Sequence, residues 1–247
     1  MRVHGLQVLR RLPHPGRGFT QGLLLDGETV WESTGRYGRS ALSRYRLGGG
    51  QPWESAPLPP ELFGEGICRA GEHIWQLTWR ERVALRWDPR TLTVVETVPY
   101  NREGWGICST GNHILTSDGT SELVRRDTET LQPTGTVVRV RCAGERLAGL
   151  NDLDWSSGRV WANIAAKPYL AGIDPDSGEV TDLIDARAAH ERHWGNPEAI
   201  LNGVTALPAD GEFLLTGKGW RHLYHVRLAE GGSRSRSALE RAGIPVS

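Results

Sequence analysis

The side chains most capable of chemistry in this chain recur at a near-regular spacing. Gln21, Glu65, Trp105, Asn151 and Asn202 stand near the head of short apolar segments (FTQGLLL, FGEGIC, EGWGICS, NDLDW, LNGVTAL) and lie 44, 40, 46 and 51 residues apart. Each segment is followed by a glycine turn, at Gly27, Gly71, Gly111, Gly158 and Gly211, and by a second apolar segment: VWESTG, IWQLTW, ILTSDG, VWANIA or FLLTGK. Counting 14 residues on from the first four anchors reaches Gly35, Trp79, Gly119 and Ala165; the last turn is two residues longer, and 16 residues on from Asn202 stands Lys218. If each pair of segments runs out and back, both sets return to one face. They would gather a carboxylate, an ammonium, amides and two indoles, enough to orient a small polar group and stack its apolar part.

Plainer uses stay open for the same residues. Glu65 and Lys218 could form a structural ion pair across a channel mouth. Asn151 and Asn202 could cap strand ends. Trp31, Trp75 and Trp161 fall within second segments and read as core packing.

The elements that must position these residues are short strands. Alternating apolar residues and frequent glycines contradict a helical repeat, and a spacing of about 40–50 residues is that of propeller blades with four strands each. Third strands follow as LSRYRL, VALRWD, ELVRRD, YLAGID and HLYHVRL, several ending at Asp-started turns; fourth strands are clearest at TVVETVPY and GTVVRV. The last repeat lacks a fourth strand, while His4 to Leu12 (HGLQVLRRL) offers a spare one ahead of the first. Pairing the two would close the ring and remove an exposed edge. The expected fold is therefore all-β: a five-bladed β-propeller of four-stranded blades spanning residues 1–230 and closed by an N-terminal strand, with a polar tail over 231–247. One helical piece is expected around Asp185 to His193.

Composition narrows the function. Lys plus Arg and Asp plus Glu both number 29 in the 247 residues, so no net charge favours nucleic acid or an anionic membrane surface. Cys68, Cys108 and Cys142 lack a short C-x-x-C spacing and read as free, buried thiols. The segment Met1 to Pro15 has no uninterrupted apolar run of signal-peptide length, and no stretch is apolar enough to span a bilayer as a helix. A cytoplasmic monomer is expected.

In order along the chain, FTQGL (19–23), ESTGRYGRS (32–40), FGEGI (63–67), QLTW (76–79), EGWG (103–106), SDGT (117–120), LNDLDW (150–155), VWANI (160–164), LNGV (201–204) and TGKGW (216–220) resemble the plant and bacterial type of glutaminyl cyclase, the glutamine cyclotransferase family. The resemblance implies a five-bladed propeller that converts the N-terminal glutamine of a peptide or protein to pyroglutamate with loss of ammonia, using neither metal nor other cofactor. By motif it assigns the site to Phe19, Gln21, Glu65, Trp79, Trp105, Asn151 and Lys218.

That chemistry suits these residues. The nucleophile is the substrate's own α-amine, a few bonds from the amide carbon it attacks, so no catalytic triad is required. Glu65 would take a proton from the amine and return one to the departing ammonia. Asn151 and Lys218 would stabilise the oxyanion of the tetrahedral intermediate. Trp79 and Trp105 would pack around the glutamine, and Phe19 and Gln21 would shape the pocket. Two positions depart from the family pattern: Ala165 stands where a tryptophan is expected, and Arg221 where a proline is. Trp194 or Tyr169 could replace the missing indole. A propeller that binds peptide N-termini without turning them over is the alternative that Ala165 motivates.

Overall fold

The computed structural model describes residues 1–49, 53–189, 197–229, 239–240 and 243–244. A long first strand, β1 (Arg2–Pro13), precedes a series of antiparallel sheets. The first holds β2 (Thr20–Asp26), β3 (Thr29–Thr34), β4 (Ala41–Arg46) and β5 (Glu54–Pro57); the second β6 (Gly64–Ala70), β7 (His73–Thr78), β8 (Val83–Asp88) and β9 (Thr93–Pro99). The third holds β10 (Ile107–Ser109), β11 (Ile114–Thr116), β12 (Glu122–Arg126) and β13 (Pro133–Arg139), followed by a hairpin of β14 (Arg141–Cys142) and β15 (Glu145–Arg146). Then come β16 (Leu150–Ser156), β17 (Arg159–Ile164), β18 (Tyr169–Ile173) and β19 (Val180–Asp185), and last β20 (Leu201–Ala206), β21 (Glu212–Gly217) and β22 (His222–Ala229).

These last two groups share one eight-stranded sheet in the order β16-β17-β18-β19-β1-β22-β21-β20. The N-terminal strand pairs antiparallel with β22 over Gly5 to Pro13, as its sequence suggests. Its first residues do more. Arg2, Val3 and His4 pair in parallel with Asp182, Leu183 and Ile184 of β19. A 12-residue strand outruns its eight-residue partner, and the overhang is held by Asp182, which accepts from His4 Nε2 at 2.8 Å and also pairs with Arg2 and Arg159.

Local chemistry explains the hairpins. Two-residue loops at Gly27-Glu28, Gly71-Glu72 and Ser157-Gly158 join the first and second strands, with Ser157 and Gly158 at φ of 50° and 74°, the left-handed pair that matches strand twist. Most strands are covered on both faces, and the core is divided into clusters between neighbouring sheets. Trp31 and Leu42 meet Ile74 and Trp87, Trp75 and Leu77 meet Ile107 and Ile114, and Trp161 and Leu170 meet Phe213 and Val226. Leu12, Leu214 and Leu223 meet Leu23 and Val30, so the last sheet also packs on the first. The first strands accordingly pack side by side in the cyclic order β2, β6, β10, β16, β20 and back to β2. This is a β-propeller-like arrangement.

The three cysteines are free and buried. The expected helical piece is a 3₁₀ turn at Ala186–Ala189; the rest of it, from residue 190 to 193, lies outside the described residues. Within the segment read as a polar tail, Leu239 and Ile244 are buried and join the cluster around Leu150 and Val160, and Lys167 Nζ donates to the Gly243 carbonyl at 2.6 Å. These two apolar side chains join the core, which a reading by bulk polarity overlooks.

Candidate active site

The anchors of the repeat lie where the first strands change register. Pairing of β2 with β3 shifts between Thr20 and Gly22, of β6 with β7 between Gly64 and Ile67, of β16 with β17 between Leu150 and Leu153, and of β20 with β21 between Leu201 and Val204. Gln21, Glu65, Asn151 and Asn202 sit on these bulges. A bulge bends the strand and re-aims its side chains, here out of the sheets and towards their common axis. The residues one position on are Gly22, Gly66, Gly106, Asp152 and Gly203. Close approach demands the glycines: a Cβ at Gly22 would stand 2.7 Å from the Ile67 nitrogen, one at Gly66 2.6 Å from the Trp105 carbonyl oxygen, and one at Gly106 would fall on the Asn151 carbonyl. At these three glycines the inner strands approach main chain to main chain, whereas Gly203 packs against the side chains of Thr216 and Thr20.

The second set of positions is held to the first by a recurring bond. The N–H groups of Gly35, Trp79, Ala165 and Lys218 donate to the carbonyls of Phe19, Phe63, Gly149 and Ile200, at 2.9, 3.0, 2.7 and 2.9 Å, each acceptor two residues before its anchor. Gly119, the remaining member, presses its α-carbon on Trp105, whose ring would lie 2.7 Å from an added Cβ.

Phe19, Gln21, Glu65, Trp79, Trp105, Asn151 and Lys218 all line one cleft of about 320 Å³, joined by Arg36, Phe63 and Glu198. Every expected site residue is therefore brought together. Phe63, Arg36 and Glu198 were not anticipated, yet Phe63 precedes Glu65 by two residues just as Phe19 precedes Gln21, a signal present in the register. Phe63 stands edge-on to Phe19 and 5.4 Å from Trp79, making one aromatic wall. Arg36 caps Phe19 at 4.2 Å from its centroid and pairs with Glu198 at 2.5 Å; Arg80 similarly caps Trp79 at 3.8 Å and pairs with Glu103.

A chain of amides orients the carboxylate. Asn202 Nδ2 donates to Gln21 Oε1 at 2.8 Å and to the Thr20 carbonyl at 3.0 Å, and Gln21 Nε2 donates to Glu65 Oε1 at 2.9 Å. Asn202 is thus a supporting residue and not a cap. Burial pushes the Glu65 carboxyl well above its usual value; Lys218 opposes the shift, while Asp152, Glu81 and Glu103 add to it. Burial lowers Lys218, with Glu65 opposing. Among the described residues no ion pair joins these two; Lys218 instead holds its Nζ 4.7 Å from the Phe19 ring centre. Among the described residues two buried polar atoms of the cleft have no partner, the Trp105 indole N–H and the side-chain Oδ1 of Asn151.

Ala165 occupies its expected position in the second set but does not line the cleft. Tyr169 does not replace the missing indole: it is buried in the core with Arg187 beside its ring. Trp194 lies outside the described residues. Among the described residues no group of three or more His, Cys, Asp or Glu side chains is placed to hold a metal ion.

The sequence model of the glutamine cyclotransferase family matches residues 1–228. The chain is 31% identical over 246 residues to the glutaminyl-peptide cyclotransferase of Arabidopsis thaliana, covering 97% of this chain and 76% of that one. Among solved structures it superposes on the glutaminyl cyclase of Myxococcus xanthus with a TM-score of 0.83 at 32% identity, covering 92% of this chain and 97% of the other. The calcium-binding protein regucalcin of Agrobacterium tumefaciens shares the fold alone, with a TM-score of 0.57 and 12% identity over 94% of this chain and 97% of that one. With the family model spanning nearly the whole chain and the expected site residues gathered in one cleft, this chain belongs to the glutamine cyclotransferase family.

Proposed function

We propose that the chain cyclises the N-terminal glutamine of peptides or proteins to pyroglutamate with release of ammonia, by acid-base catalysis that needs no metal. The scaffold in this reading is a five-bladed propeller, the eight-stranded sheet counting as two blades joined through β1. The observation that carries the proposal is the convergence of Glu65, Asn151 and Lys218 on one cleft walled by Phe19, Phe63 and Trp79.

The substrate α-amine attacks its own side-chain amide carbon, so the new C–N bond closes a five-membered ring. Attack costs the amine one proton, and the departing NH₂ group needs one to leave as ammonia. A single group can carry out both transfers. Glu65 suits this because burial raises its proton affinity towards that of an α-amine, whose ordinary pKa is about 7.7–8.0. The intermediate's oxyanion falls to Lys218 and the side-chain amide of Asn151, and the Trp105 indole N–H, unpaired among the described residues, is available to a polar group of the substrate.

Incubation with a glutamine-initiated dipeptide, with ammonia assayed in the presence and absence of a chelator, tests the reading. Chelator-insensitive release is expected. Release that stops with chelator and returns with added metal overturns the metal-independent mechanism, and no release at high protein concentration overturns the activity itself.

A further inference from the structure

His14 and Glu32 are both buried, and neither lines the cleft. His14 follows β1, and its Nε2 stands 2.8 Å from Oε2 of Glu32 on β3. Its Nδ1 stands 2.9 Å from the Trp220 carbonyl, which can only accept, so Nδ1 donates. A single proton then lies between Nε2 and Oε2, and the two side chains are bonded whichever atom carries it. The other carboxylate oxygen of Glu32 accepts from the Thr20 hydroxyl at 2.7 Å. At the matching place in the other second strands, paired with the residue two past each anchor, stand Gln76, Thr116, Ala162 and Leu215. Glu32 is the one carboxyl in that ring of positions. Burying it with a histidine costs desolvation that an apolar pair would avoid, so stability of the fold does not account for it.

What the pair reaches does account for it. Trp220 belongs to the loop between β21 and β22 that carries Lys218, and Thr20 directly follows Phe19. The same two stretches meet through main chain: His14 N–H donates to the Arg221 carbonyl at 3.0 Å, and Gly219 N–H to the Gly18 carbonyl at 2.7 Å. Lys218 and Phe19 are the cleft residues that these bonds enclose, and they meet with Nζ 4.7 Å from the ring centre.

We propose that His14 and Glu32 are positioning residues for the reaction: a buried hydrogen-bonded pair that ties the Lys218 loop to the segment carrying Phe19 and so fixes the ammonium over the ring. The inference rests on the cyclase reading of the cleft. A lysine reaches its target on a flexible four-carbon stem, and the place of its charge follows the place of its main chain. A misplacement of about 1 Å can cost about 10²-fold in rate, which gives a bond network outside the cleft its leverage.

The test reads the position of Lys218 directly. Lys167 and Lys218 are the two lysines of the chain, so protein labelled with ¹³C at the lysine ε-carbon gives two signals, assigned through Lys218→Met. The Phe19 ring displaces the Lys218 signal from that of a free lysine, and Lys167, bonded to the Gly243 carbonyl, is the internal reference. His14→Ala is expected to move the Lys218 signal towards the free value and to lower kcat for a glutamine-initiated dipeptide by about tenfold or more, a larger change than that in KM. Glu32→Gln keeps both bonds, its amide donating to His14 and its oxygen accepting from Thr20, and is expected to retain the Lys218 signal and most of the turnover. If His14→Ala does not fold, Thr20→Val, which removes only the hydroxyl that Glu32 accepts from, is expected to give a smaller move in the same direction. An unmoved Lys218 signal in the folded variant overturns the inference, however far the melting temperature falls. Loss of as much turnover in Glu32→Gln as in His14→Ala overturns it too, because the bonds are then still in place. A moved signal in a protein whose wild type releases no ammonia keeps the positioning link and sinks the cyclase reading instead.

Discussion

Gln21 donates a hydrogen bond of 2.9 Å to Glu65 although 44 residues separate them and they belong to different sheets. The bond spans adjacent inner strands, and Asn202 extends it from the other side. Glu65 is thus held by a relay of neutral amides, which orient a carboxyl without neutralising it and leave it able to gain and lose a proton.

Glu65→Gln keeps the shape of that network and removes the titrating group. Loss of kcat of about 10²–10⁴ is expected, with KM changed little, because the proton transfers belong to the transition state. Lys218→Met, which removes the charge that faces Glu65, is expected to lower kcat by about 10²–10³. Steady-state ammonia release measures both.

Trp105→Phe removes the buried indole N–H, unpartnered among the described residues, together with the Cζ2–Cη2 edge that lies against Gly119. KM for a glutamine-initiated dipeptide is expected to rise by up to about tenfold, and the fall in thermal stability to be only that of the lost ring edge, since no described protein group loses a hydrogen-bond partner.

Gly106→Ala should be the more damaging of two glycine substitutions in a direct comparison. Its Cβ would meet the Asn151 carbonyl, whereas at Gly49 the nearest atom is 3.8 Å away. Urea unfolding is expected to show a loss of about 1–3 kcal/mol or more for Gly106→Ala and within about 0.5 kcal/mol for Gly49→Ala.

Asp154 provides a pH test of stability. Burial raises its carboxyl to about 6, and the N–H of Ala206 opposes this from 2.5 Å. Because the folded value lies above the unfolded one, of about 3.9, the native state prefers the protonated form. That stability is complete below about pH 4 and is lost as pH rises through about 6. Asp154→Asn removes the loss, so relative to the wild type the variant should gain on the order of 3 kcal/mol between about pH 4 and pH 7. Parallel urea titrations at the two pH values measure the difference.

Much of this was legible along the chain because the propeller repeats one unit. The spacing of Gln21, Glu65, Trp105, Asn151 and Asn202 marks the inner strands, and the count of 14 from Glu65 finds Trp79, whose N–H the fold ties to the Phe63 carbonyl two residues before Glu65. Hydrogen-bonded register converts sequence distance into spatial position within a hairpin, so local counting works there.

Between sheets no such rule applies. Which atoms meet across the axis depends on bulge geometry and on how closely the glycine backbones approach, and both are properties of all the inner strands packed together. The sequence alone placed Glu65, Asn151 and Lys218 on one face, but left open an ion pair between Glu65 and Lys218 and a capping role for Asn202. Only the tertiary structure resolved these, putting Lys218 over Phe19, Asn202 behind Gln21, and Asp152 among the inner strands with bonds to Leu23 and Val204. It also showed Leu239 and Ile244 buried within a segment whose composition reads as polar, because burial depends on which surface a side chain can reach.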